Sequence, residues 1–148
     1  MLGKMSHILR ALGGLVAALF VCGCSVENPA VGSYQLDTAA MRAAYMEQIG
    51  GGEPNSLQRV QLEAVNSASG SMELNADGTC KISYAVAGQP PSSDTGTWEF
   101  GGDKIILTGQ DLESGADVVM ELPFDGQSAT LVLGPGVFGT RTFRKVGN

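Results

Sequence analysis

From residue 71 to the end, apolar and polar side chains take turns along the chain. Met72 and Leu74 alternate with Ser71 and Glu73, and Cys80, Ile82, Tyr84 and Val86 alternate with Lys81 and Ser83. Gly96, Trp98 and Phe100 share a face, as do Ile105 with Leu107, Val118 with Met120 and Leu122, and Ala129 with Leu131 and Leu133. A two-residue period marks strands with one wet and one dry face. Turn signals separate these runs: Asn75-Ala76-Asp77-Gly78, Gly101-Gly102-Asp103, Asp125-Gly126 and Gly134-Pro135-Gly136. Residues 88–93, with two prolines, read as a loop, and residues 140–146 as the last strand.

The texture ahead of residue 71 differs. Residues 31–36 alternate and predict a first strand. Asp37 or Thr38 then caps a helix to about Ile49, with Met41, Ala44, Tyr45 and Ile49 on one stripe. Gly50-Gly51-Gly52 stops it. A second helix is expected from Asn55 or Ser56 to about Val65, although Val60, Leu62 and Ala64 also alternate. The expectation is a mainly β fold: an antiparallel up-and-down barrel of about eight strands, closed or nearly so, with one or two helices between the first and second strands.

The N-terminus reads as an address. Lys4 and Arg10 accompany an apolar run from Ile8 to Val21, a basic start plus a stretch too short to span a bilayer. It ends in Val21-Cys22-Gly23-Cys24, which resembles the lipobox of bacterial lipoproteins: an aliphatic residue, two small ones, then cysteine. The resemblance implies cleavage before Cys24 and a diacylglycerol thioether on its sulfur, which anchors the protein to a membrane. By the same resemblance, the non-acidic Ser25 implies the outer membrane where the host has one. Residues 1–23 are then a signal peptide, 24–30 a lipidated tether and 31–148 the barrel domain.

Removal of the signal changes the charge and the chemistry. The 148-residue chain has nine basic and fifteen acidic residues. Lys4 and Arg10 leave with the signal, so seven basic residues face all fifteen acidic ones. So acidic a domain is repelled by phosphate backbones, and nucleic acid is not an expected partner. The single histidine, His7, is also lost, which removes His-dependent nucleophilic mechanisms and His-ligated metal sites. With Cys22 discarded and Cys24 acylated, Cys80 stands alone, and no internal disulfide is expected. Cys80 shares a face with Ile82 and Tyr84, so it reads as a buried, weakly nucleophilic thiol. Asp111, Glu113 and Asp117 cluster, and Asn75-Ala76-Asp77-Gly78 resembles part of a calcium loop. The terminal Glu and spacing of a calcium loop are missing, so solvated turns are expected and no cofactor or metal.

Two short motifs resemble the calycin group, the lipocalins and fatty-acid-binding proteins. Gly32-Ser33-Tyr34 stands where those families carry Gly-x-Trp, and Arg141-Thr142-Phe143 stands where fatty-acid-binding proteins carry an Arg-x-Tyr that grips a carboxylate. Helices between the first two strands also belong to the fatty-acid-binding branch, which has ten strands rather than eight. The resemblance implies a barrel with a small apolar or amphipathic ligand inside, held at Arg141 and Phe143. Tyr84, Trp98 and Met120 are the further candidate lining residues. If Phe143 points inward, period two carries Arg141 and Lys145 inward too; Val146 argues for the opposite register, with Arg141 in solvent or packed over Tyr34. The expected function is therefore a membrane-anchored, non-enzymatic lipoprotein binding such a ligand. The alternative is a cell-envelope structural or protein-interaction module with a filled barrel.

Overall fold

A computed structural model describes residues 27–110 and 115–147. The element order is β1 (Gly32–Leu36), α1 (Thr38–Gln48), α2 (Ser56–Asn66), β2 (Ser69–Leu74), β3 (Thr79–Ala85), β4 (Ser92–Phe100), β5 (Lys104–Gln110), β6 (Asp117–Pro123), β7 (Ser128–Val132) and β8 (Thr140–Val146). Cys24 and its neighbours, with Asp111 and Glu113, lie outside the described residues.

The eight strands form one antiparallel sheet in the order β6-β5-β4-β3-β2-β1-β8-β7. β2 to β6 pair in sequence, β7 pairs with β8, β1 pairs with β2 across the two helices, and β8 returns to β1. The circle is nearly closed. Among the described residues a single bridge, Phe124↔Ala129, joins β6 to β7, and Val118, Val119, Val132 and Leu133 are exposed where those two strands part.

The register gives the barrel two unlike ends. The turns between β2 and β3, β4 and β5, and β6 and β7 lie at one end, the base. The helices emerge from the last residue of β1 and return to the first of β2, so they cover the other end, the mouth. At the base Tyr34 is fully buried and its hydroxyl donates to the Ala30 carbonyl at 2.6 Å. Burial pushes its pKa up to about 12. The Trp98 indole N–H donates to the Asn75 carbonyl at 2.9 Å, tying β4 to the β2–β3 turn. Around these pack Met72, Leu74, Ile105, Leu107, Leu122 and Phe143, each 2% exposed or less. Fully burying one such aliphatic or phenyl side chain contributes roughly 1.5–3 kcal/mol, so this filled half of the barrel is the stable part.

A second, smaller cluster lies under the helices. Met41 and Tyr45 of α1 meet Leu62 and Val65 of α2, with Val137 from the β7–β8 loop. The Tyr45 hydroxyl donates to Gln61, joining the helices. Leu36 packs on both clusters and couples them. The caps are those the sequence offered: Asp37 accepts from the Ala40 N–H, and Asn55 forms a reciprocal capping box with Gln58. The second helix is confirmed, with Leu57 and Val60 left on its outer face.

Two positions are especially exacting. At Gly96 a Cβ would stand 2.2 Å from the Thr108 carbonyl oxygen, so only glycine lets β4 lie this close to β5. The β4–β5 ladder ends beside it, at Thr97↔Thr108. Asp37 both caps α1 and pairs with Arg144 of β8 at 2.7 Å. Donation from the Ala40 N–H, then the Arg144 guanidinium, holds its carboxyl below the ordinary 3.8.

Two outcomes follow. Gly96→Ala should lower unfolding stability by about 1–3 kcal/mol in urea titration, since backbone cannot yield as a side chain can; an unchanged midpoint would contradict the close approach. Because folding lowers the Asp37 pKa, its contribution is present above the unfolded value and lost as pH falls through the folded one. Stability should drop on acidification below about pH 4. Asp37→Asn, which keeps a capping oxygen but no charge, should flatten that acid slope, whereas Asp37→Ala should cost about 1 kcal/mol at neutral pH.

Candidate binding site at the mouth of the barrel

The last strand decides what faces the mouth. Phe143 is 1% exposed and Val146 lies on the outer face, 39% exposed. Period two therefore sends Arg141 and Lys145 inward, and the register that Val146 suggested is not the one adopted. Nor does Arg141 pack over Tyr34, which sits at the base. Its guanidinium lies over the Tyr84 ring, 4.2 Å from the centroid. Stacking an arginine on an aromatic face replaces part of the hydration it loses.

Three elements hold this pair. Tyr84 of β3 stands opposite Gly70 of β2, where a Cβ would come within 3.3 Å of the Tyr84 ring. The missing side chain lets the ring lie across the neighbouring strand. Phe138, from the β7–β8 loop, meets Tyr84 edge to face at 6.2 Å, and its carbonyl accepts a long 3.4 Å bond from Arg141 Nε. Val137 beside it is buried in the helix cluster, which fixes the loop. Phe138 escaped the sequence reading because it falls in a glycine-rich break with no period to place it.

The polar groups of this cluster are incompletely matched. The ion pairs among the described residues are Lys104–Glu121 and Asp37–Arg144, and none brings a carboxylate to Arg141. The Tyr84 hydroxyl is buried and has no hydrogen-bond partner among the described residues. Burial raises its pKa and the nearby Arg141 charge opposes that rise, so it is a neutral donor at physiological pH. Among the described residues Arg141 thus has no carboxylate partner and the Tyr84 hydroxyl no acceptor.

The remaining candidates divide between the two ends. Met120 is half-buried on the inner face of β6, and Ile82 is half-buried on the inner face of β3, one layer below Tyr84. Trp98 and Phe143 belong to the closed core, where their neighbours are other buried side chains. The Cys80 thiol is 7% exposed, its sulfur 3.6 Å from the Thr97 carbonyl, and burial raises its pKa. Asp77 is engaged in the β2–β3 turn, accepting from the Thr79 N–H and hydroxyl.

Two clefts open on the surface. One of about 310 Å³ runs beside Tyr84, between Gly70 and Ser83 on one side and Pro91 and Ser92 on the other. The other, about 560 Å³, lies at the base between residues 27–32 and 145–147. It holds none of the candidate residues. The first touches Tyr84, while Arg141 is not among its lining residues.

Removing the unmatched hydroxyl separates a structural from a binding role. Tyr84→Phe keeps the ring under Arg141 and deletes an unsatisfied polar atom, so the free protein should be as stable as the parent or up to about 1 kcal/mol more stable. A loss of more than that in urea unfolding would mean that the hydroxyl has a partner within the fold.

No family model matches the chain, and no curated protein matches it. Among solved structures it is similar to a mutant of the REP1-NXSQ fatty acid transporter, at 16% identity and a TM-score of 0.36, over 78% of this chain and 97% of that one. At that level the likeness decides nothing, and the barrel rests on its own strand ladders.

Proposed function

We propose that this chain is an exported, non-enzymatic lipoprotein, acylated on Cys24, whose barrel takes one small amphipathic molecule at its mouth. The anionic head of that molecule pairs with Arg141 and accepts from the Tyr84 hydroxyl. Its apolar part lies against Ile82 and Met120. The observation that carries this reading is the inward Arg141 guanidinium, stacked on Tyr84 with no carboxylate at ion-pair distance among the described residues. A cation partly withdrawn from water is stabilised by a counter-charge, and the guanidinium fork matches a carboxylate or phosphate. Since the base is occupied by side chains, the ligand reaches only part of the way in. A short or compact amphiphile fits this better than a long extended one.

Fluorescent-probe displacement with matched amphiphiles tests it: a medium-chain carboxylate should bind more tightly than the alcohol of equal length. Arg141→Gln should remove that preference, a loss of roughly 1.5–3 kcal/mol or about ten- to a hundredfold. Equal affinities in the parent protein, or no binding by either, would contradict it.

The second reading, an interaction module of the cell envelope, draws on one observation. Leu57 and Val60 lie three residues apart on α2 and are 68% and 62% exposed, an apolar strip on a helix that buries Leu62 and Val65. Cross-linking in intact cells that captures one partner through this helix, with no ligand binding at the mouth, would favour it.

A further inference from the structure

The approach to the barrel from its N-terminus is tightly held. Val31 N–H donates to the Asn28 carbonyl at 3.0 Å, and the Asn28 side chain accepts from Ala30 N–H at 3.1 Å. Ala30 is fully buried and its carbonyl accepts from Tyr34, while Lys145 Nζ donates to the Pro29 carbonyl at 2.8 Å. The Lys145 stem also lies where a Cβ on Gly32 would meet it at 2.7 Å, so the inward lysine fills the space beside the entering chain. From Asn28 onward the backbone is thus fixed to the base, at the end opposite the helices.

Cys24 precedes Asn28 by four residues, which span at most roughly 14 Å when fully extended. A seven-residue strand rises roughly 20 Å, so this leash is shorter than the barrel is tall. We infer that the base of the barrel is the face turned to the lipid bilayer, and that the mouth with Arg141 and Tyr84 faces away from it. The inference rests on the reading that Cys24 is acylated, and adds an orientation that the anchor alone does not give. The three base turns carry exposed Asp77, Asp103 and Asp125. Their charge is repelled by anionic headgroups, so the base rides above the lipid instead of sinking into it. The mouth then exchanges its ligand with the aqueous phase or a soluble carrier, and not sideways with the leaflet that holds the anchor.

Energy transfer in vesicles tests the orientation. The full chain, expressed in a bacterium and lipidated there, is prepared with Cys80→Ala and a single donor label at Asp103→Cys or at Leu57→Cys. It is reconstituted into phosphatidylcholine vesicles carrying a headgroup acceptor. Transfer from position 103 should exceed that from position 57 by the amount expected for a depth difference of roughly 20 Å. Inserting about 20 Gly/Ser residues after Ser25, a coil of roughly 25 Å, should abolish the difference. Equal or reversed transfer in a chain whose intact mass carries the lipid overturns the orientation and leaves the anchor standing. An intact mass without the thioether lipid on Cys24 overturns the anchor, and the orientation with it.

Discussion

The two-residue side-chain period of β8 is the constraint on which the rest of the molecule turns. Phe143 fills the middle of the barrel, 1% exposed, and a strand cannot bury one residue without sending its second neighbours to the same side. Arg141 and Lys145 therefore face inward, one at each end. Neither cation has a carboxylate at ion-pair distance among the described residues, and each is accommodated differently. Lys145 reaches the rim of the base and donates to a backbone carbonyl, where it helps fix the entering chain. Arg141 lies on the Tyr84 ring and has no ion-pair partner among the described residues. A slip of one residue in β8 would expose Phe143 and release both cations to water, so stability and chemistry are tied to the same register.

The division of labour along the barrel axis follows from where the large side chains fall. Tyr34, Trp98, Phe124 and the aliphatic residues of β2, β5 and β6 close the base, and Tyr34 and Trp98 satisfy their polar atoms on backbone carbonyls. Toward the mouth the inner face changes character, with Gly70, Gly96 and Gly109 in place of bulky residues and, among the described residues, no partner for the Tyr84 hydroxyl. The helices compensate by building their own cluster, coupled to the barrel through Leu36 and the Val137-Phe138 loop. The result is a molecule with one end filled by side chains and another where, among the described residues, Arg141 has no carboxylate and the Tyr84 hydroxyl no hydrogen-bond partner.

Most of this architecture was legible in the sequence, and the exceptions have physical causes. Alternation and Asp/Gly-rich turns located all eight strands, because a half-buried antiparallel sheet imposes a period of two wherever one face is dry. The helices were legible from their caps and from the Met41–Tyr45 stripe. The orientation of Arg141 was not, since Val146 and Phe143 in one strand point to opposite registers, and only the pairing of β8 with β1 and β7 decides between them. Tyr84 was recognised as an inner-face residue, but its pairing with Arg141 joins residues 57 positions apart and has no local signature. Trp98 and Phe143 looked like lining residues for the reason they are core: alternation reports a dry face without saying whether side chains or a ligand fill it.

The contact between Arg141 and Tyr84 is the central claim, and NMR spectroscopy of the isotopically labelled protein reads it directly. A guanidinium 4.2 Å above the ring centroid places the Arg141 side-chain protons in the shielding cone of the ring. Upfield-shifted Arg141 δ-proton and Nε–H resonances are expected, with nuclear Overhauser contacts to the Tyr84 ring and to Phe138. Ordinary random-coil shifts for Arg141, or contacts to Tyr34 in place of Tyr84, would contradict the inward register and remove the basis of the proposed site.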